Sequence, residues 1–179
     1  MMTVNYKNHL LMNYIRGMAK TLEEEWQAGA KELGLTLAEQ HIMWIVYLEE
    51  RASISTIAKV GLWDRSTVMQ VIKRLVNKGL VLVEKDESDL RVSYVKLTDQ
   101  GHQKRKQTQS ASFELFEFIQ EYQKEKPEFI EELVAFHREA NRHFHGEEFV
   151  EWVERTTSEY ESKTGIDDAE AALHRAEKI

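Results

Sequence analysis

The chain has 179 residues, enough for one substantial domain or for one domain with helical arms. Hydrophobic residues make up 42% and charged residues 31%, with no cysteine, one proline and 8 glycines. This composition excludes disulfides, thiolate metal sites and cysteine redox sensing, and it favours helix over Pro/Gly-type linkers. No apolar run approaches the length of a bilayer span, and the N-terminus lacks a signal-peptide pattern. A cytoplasmic chain that enters no membrane is therefore expected.

The formal net charge of −7 by itself argues against a polyanionic partner. Its distribution argues the other way. Residues 1–50 carry a net −3, residues 51–106 a net +6, and residues 107–179 a net −10. A basic middle between two acidic ends is the footprint of a segment that meets a polyanion. The plain alternative is chance clustering of surface charge.

Residues 6–33 predict a long helix, with Leu10, Leu11, Tyr14, Ile15, Met18, Leu22 and Trp26 along one stripe. Gly34 ends it. Thr36-Leu37-Ala38-Glu39 forms a capping box that starts a second helix. Ile42, Ile45 and Val46 line one side of that helix, and Leu37, His41, Trp44 and Leu48 line another, so it belongs in the interior. Ala52-Ser53-Ile54 reads as a short extended stretch. Ser53 caps a short helix carrying Ile54, Ile57 and Ala58, which stops near Gly61.

Asp64 caps the next helix, from about Arg65 to Lys78, with Val68, Val71, Ile72 and Leu75 at i, i+3, i+4 and i+7. Gly79 ends it. Leu80 to Lys85 and Val92 to Leu97 read as an antiparallel hairpin with a polar loop. Thr98 caps a helix expected to run unbroken to about Lys124, with Leu115, Phe118, Ile119 and Tyr122 on its apolar side. Pro127 opens another helix. Its stripe is Phe129, Leu133, Phe136, Ala140 and Phe144, and Gly146 closes it. Phe149, Trp152 and Val153 suggest one more amphipathic helix, and beyond Thr164 the tail is acidic and Ala-rich.

A short helix, a turn at Gly61-Leu62-Trp63 and a second helix make a helix-turn-helix, and the hairpin after it makes the unit winged. Such a helix fits the major groove of B-DNA. Opposite its apolar stripe lie Arg65, Ser66, Thr67, Gln70, Lys73 and Arg74. Gln pairs with adenine, Arg with guanine, and Ser or Thr with bases or phosphates. The helix carries no carboxylate after Asp64, whereas a merely solvated face usually mixes signs. In the hairpin loop Asp86-Glu87-Ser88-Asp89-Leu90-Arg91, Arg91 can enter the electronegative minor groove. Asp89, two residues away, can hold its guanidinium. The alternative is a plain polar turn with a weak surface ion pair.

These residues resemble those of MarR-type winged-helix transcriptional regulators, over roughly residues 6–145. The family's wing runs Asp-x-Arg-Asp-x-Arg, and here Ser88 stands where the first Arg would be. Leu97-Thr98-Asp99-Gln100-Gly101 is similar to the family's Leu-Thr-x-x-Gly after the wing. The stretches His41–Ile45 and Ala52–Lys59, and the extended C-terminal helical region, are similar to a subgroup that represses extracellular protease and sporulation genes. The resemblance implies a mainly α fold, a winged helix-turn-helix with a small antiparallel β-wing, flanked by long N- and C-terminal dimerisation helices. It divides the chain into a dimerisation helix (1–35), a DNA-binding domain (36–98) and a C-terminal dimerisation region with an acidic tail (99–179). The partners it implies are double-stranded promoter DNA and a second copy of the chain. The expected DNA contacts are Arg65, Ser66, Thr67, Gln70, Lys73 and Arg74 on the helix, and Ser88, Asp89 and Arg91 on the wing.

One winged helix reads few base pairs, so two copies must be held together by residues outside 36–98. Leu11, Tyr14, Ile15 and Met18 on the first helix, with Phe129, Leu133, Phe136 and Phe144 after Pro127, are the expected dimerisation stripes. A winged-helix protein-interaction module without DNA binding is the competing reading. It would lose the basic and amide groups of residues 65–74, which this chain keeps. The chain has no phosphate-binding glycine loop and no nucleophile elbow, so an enzyme is not expected. Without cysteine, and without a His pair at i, i+4, neither a metal site nor a cofactor is expected. Many MarR-type proteins bind small aromatic acids between the DNA-binding domain and the dimer helices. Trp26, Trp44 and Tyr47 suit either such a pocket or the core, and the sequence does not decide whether an effector exists.

Overall fold

The computed structural model describes residues 6–108 and 113–159. In chain order its elements are α1 (Tyr6–Glu32), α2 (Leu37–Glu49), β1 (Ala52–Ser53), α3 (Ile54–Val60), α4 (Arg65–Asn77), β2 (Val81–Lys85), β3 (Ser93–Leu97), α5 (Asp99–Gln107), α6 (Glu114–Glu125) and α7 (Pro127–His145). Residues 147–159 form a further helix, α8. The acidic stretch expected after Thr164 lies outside the described residues.

The core is built where α2, α3 and α4 pack on the small sheet. Ile42, Met43, Val46, Ile57, Val68, Leu75 and Val95 are fully buried there. Polar caps fix where the helices begin. Thr36 Oγ1 accepts the Glu39 N–H at 3.3 Å, and Glu39 Oε2 accepts the Thr36 N–H at 2.8 Å, a complete capping box. Ser53 Oγ accepts the Thr56 N–H at 2.9 Å, and Asp64 Oδ1 accepts the Thr67 N–H at 2.8 Å. Each such cap is worth about 1 kcal/mol.

The sheet is larger than a hairpin. Its antiparallel order is β1-β3-β2, with Val95 paired to Ala52 on one side and Val83 on the other. The Leu97–Gly101 motif locks the sheet to the helices. Thr98 Oγ1 donates to the Gly79 carbonyl at 2.6 Å and accepts the Gly101 N–H at 3.0 Å, so one hydroxyl closes α4 and opens α5. A Cβ at Gly101 would sit 2.0 Å from the Leu80 carbonyl oxygen, so the position admits only glycine without a backbone shift.

The helix expected to run unbroken from Thr98 to Lys124 is two helices. α5 stops at Gln107, and Phe113, just before α6, is extended at φ −122° and ψ 123°. Thr108 Oγ1 turns back onto the Arg105 carbonyl at 2.6 Å, the local hydrogen bonding by which Ser and Thr compete with a helix ladder. In the first turn of α6 the Phe116 and Glu117 N–H groups donate to the Phe113 carbonyl, and the Leu115 N–H donates to Glu25 Oε1 of α1 at 3.1 Å. Arg105 is buried with its guanidinium 3.7 Å over the Tyr47 ring, which joins α5 to α2.

α8 ties the C-terminal helices back to the core. Trp152 Nε1 donates to Glu49 Oε1 at 2.8 Å, and Arg155 pairs with the same carboxylate. Glu148 pairs with Lys59 of α3, and Arg138 of α7 pairs with Glu154 at 2.9 Å. Near the turn of the helix-turn-helix, the His41 imidazole lies edge-on to Trp26 at 4.8 Å and faces Trp63 at 6.0 Å. Burial holds it below the ordinary histidine range. Among the described residues no helix is long and apolar enough to cross a membrane.

Candidate nucleic-acid interface

The turn between α3 and α4 is tight for a steric reason. A Cβ at Gly61 would come within 2.5 Å of the Trp63 ring and 2.7 Å of the Ile57 carbonyl oxygen. Leu62 follows at φ +57°, an uncommon conformation for a residue with a side chain. Asp64 then caps α4 and is itself saturated. The Ser66 hydroxyl, the Thr67 hydroxyl at 2.6 Å and the Thr67 N–H all donate to its carboxylate. These bonds, the one from Ser66 foremost, hold the Asp64 carboxyl far below the usual carboxylate range.

Val68, Val71, Ile72 and Leu75 face the core, which fixes the roll of α4. Arg65, Ser66, Gln70, Lys73 and Arg74 are exposed, while Thr67 is half-buried. The structure does not bring all six onto one free surface. The Ser66 and Thr67 hydroxyls are committed to Asp64. Arg74 reaches toward α2, its Nε 3.4 Å from Glu39 Oε1. Of the six, Arg65, Gln70 and Lys73 remain on the open face.

Glu39 is a residue that sequence reasoning assigned only to a cap. Its side chain is 1% exposed, and besides Thr36 it holds Lys78 Nζ at 2.8 Å. Burial would raise its carboxyl. The Lys78 and Thr36 hydrogen bonds and the charges of Lys78 and Arg74 outweigh that, and the group sits below the ordinary value of 4.5. Met69, a second residue passed over, stands on the outward half of α4 beside Gln70 and is 57% exposed. Its signal in the sequence was an apolar residue off the buried stripe.

The wing loop is organised by two carboxylates. Asp86 Oδ1 accepts the N–H groups of Ser88 at 2.9 Å and Asp89 at 3.0 Å, and also the Ser88 hydroxyl. Those bonds, with Ser88 first, lower the Asp86 carboxyl. Arg51 braces the wing base, 3.4 Å from Asp86 and 3.7 Å over the Tyr94 ring. Asp89 takes Arg91 Nε and Nη2, both at 2.9 Å, while the Arg91 side chain is 91% exposed. Of the three wing residues expected at DNA, Arg91 is therefore presented, Asp89 orients it, and the Ser88 hydroxyl turns inward.

The eight residues of the expected dimerisation stripes, Leu11, Tyr14, Ile15, Met18, Phe129, Leu133, Phe136 and Phe144, are all exposed in the single chain. Met18, Phe129 and Leu133 line an open groove of about 1110 Å³ with Phe118, Tyr122 and Phe149. The other five stand outside that groove. Among the described residues no group of three or more His, Asp or Glu side chains converges as a metal site would require.

The MarR family model matches residues 35–93. Over 147 residues the chain is 32% identical to the HTH-type transcriptional regulator Hpr of Geobacillus sp. (strain WCH70), covering 78% of this chain and 71% of that one. It is 38% identical over 86 residues to the DNA-binding transcriptional repressor ScoC of Bacillus subtilis (strain 168), covering 49% and 43%. The chain spans about half the length of some of the curated relatives it matches and more than two thirds of others. Among solved structures, mutant MarR from E. coli complexed with operator DNA superposes with a TM-score of 0.61 at 21% identity, covering 73% of this chain and 96% of that one.

Proposed function

The chain belongs to the MarR family, and from that premise we propose that it binds double-stranded promoter DNA sequence-specifically, as a homodimer, to regulate transcription. It is not an enzyme, as befits a family of DNA-binding regulators. One observation carries the reading. α4, from Arg65 to Asn77, contains no carboxylate, buries its apolar stripe and leaves Arg65, Gln70 and Lys73 open beside a wing that presents Arg91. A major-groove helix flanked by a minor-groove arginine reads DNA in this way.

Residues 36–98 are assigned to DNA, and residues 1–35 and 99–179 to dimerisation. The apolar stripes of α1 and α7, exposed in the single chain, support the second assignment. Two recognition helices held across a two-fold axis would meet half-sites roughly 34–36 Å apart. The acidic ends would then lie away from the phosphates. Likeness to Hpr and ScoC favours repression of extracellular protease and sporulation genes, in the cytoplasm. Selecting bound fragments from genomic DNA with the purified chain tests the reading. Recovery of promoter fragments sharing one sequence supports it. Fragments with no common sequence would leave a winged-helix interaction module as the better account.

A further inference from the structure

Met69 has no role in the reading above, and its place on α4 gives it one. The side chain is 57% exposed, although a thioether on two methylenes gains by leaving water. It lies one turn from Arg65, Ser66 and Lys73 and next to Gln70. An exposed apolar residue alone needs no explanation. Met69, however, sits in the N-terminal half of the helix, the part that a groove-docked helix aims at base edges. Val76, the other large apolar residue exposed on α4, lies near its C-terminal end.

The neighbours of Met69 bring it within reach of DNA and not of an apolar protein surface. Arg65 and Lys73 on the same side of the helix would have to be desolvated against such a surface, whereas phosphates neutralise them. The apolar group on the major-groove edge of DNA is the C5 methyl of thymine. Met is unbranched and flexible, so it can follow such a methyl without a fixed rotamer.

Resting on the DNA-binding reading, we infer that Met69 is a specificity-determining residue that reads a thymine through its 5-methyl group. Gln70 and Lys73 supply hydrogen bonds and charge beside it, and Met69 supplies the apolar contact that discriminates thymine from cytosine at one position of each half-site.

The test uses the full chain and a synthetic pool of random-sequence duplexes, in which only thymine carries a C5 methyl. Each thymine of the enriched duplex is replaced singly by deoxyuridine, which removes one methyl and preserves every hydrogen bond. Binding is then read by fluorescence anisotropy at fixed salt. One thymine per half-site should weaken the wild-type chain about fourfold when replaced, the equivalent of the roughly 0.8 kcal/mol of one buried methyl group. Met69→Ala should bind the unmodified duplex more weakly and be indifferent to that replacement. Met69→Leu should keep the sensitivity, and both variants should melt with the wild type because the site is exposed. An enriched duplex in which no deoxyuridine matters, or a Met69→Ala chain as sensitive as wild type, overturns the inference and leaves DNA binding standing. A pool that yields no enriched sequence overturns the DNA-binding reading and this inference with it.

Discussion

Arg91 at the wing tip is gripped by Asp89 through two parallel hydrogen bonds, Nε to Oδ1 and Nη2 to Oδ2, each 2.9 Å. A long side chain that would sample many rotamers is thereby held in one orientation while its guanidinium stays open to a partner. Arg91→Ala is expected to weaken operator binding about tenfold and lower the salt slope by about 1, with an unchanged melting temperature. Asp89→Ala should act in the same direction but less, because the charge remains and only its orientation is lost. Anisotropy titrations at three salt concentrations check both. Wild-type affinity in the Arg91 variant would mean that the wing does not touch DNA.

Gln70 and Lys73 should separate into two kinds of contact. An amide that reads adenine supplies about 1–3 kcal/mol of discrimination, so Gln70→Ala should flatten base preference at one position. Lys73→Ala, if the ammonium meets phosphate, should weaken operator and random DNA alike and lower the salt slope by about 1. Titrating both variants against an operator and a scrambled duplex checks the division.

Glu39 stakes a stability prediction. Its buried carboxylate holds Lys78, Arg74 and the Thr36 N–H, and both cationic partners are partly exposed. Glu39→Gln should therefore cost about 2–3 kcal/mol, less than breaking a wholly buried pair. The pH dependence follows from the direction of the shift. A carboxyl lowered in the fold contributes stability that is fully present above its unfolded value of 4.5 and is lost as pH falls through the folded one. Urea melts at pH 7 should show the full gap between wild type and variant. Melts below pH 4.5 should show the gap closing.

Phe136 tests the association of two copies. It is 58% exposed in the single chain, so a charge there costs the monomer little. Buried at an interface without a partner, the same charge would cost several kcal/mol. Phe136→Glu is expected to shift sedimentation from dimer to monomer at micromolar concentration with no loss of helicity. A wild-type chain that is already monomeric would contradict the assignment of these stripes.

The local grammar of the fold was legible in the sequence. Thr36, Ser53, Asp64 and Thr98 were each readable as caps, because a short oxygen-bearing side chain ahead of an apolar-periodic segment has few other uses. The break after Gln107 was not, since α5 is polar throughout and offers no apolar periodicity whose end would mark it. Pairing of β1 with β3 joins Ala52 to Val95 and could not be inferred from a two-residue strand. On α4 the roll of the helix was readable from four apolar positions. Which face residues were free was not. Arg74 is drawn aside by Glu39, thirty-five positions away in sequence, and Ser66 and Thr67 spend their hydroxyls on Asp64. Periodicity reports where a side chain starts, and only the packed neighbours determine where its polar end goes.

Whether the open face of α4 reads sequence is decided by the ratio of two dissociation constants for the full chain at 150 mM salt, one for a selected operator duplex and one for a scrambled duplex of the same composition. Specific recognition should give a ratio of about 10³ or more. A ratio within about threefold would leave only the counterion-release attraction that any basic patch shows, and would mean that α4 does not read sequence.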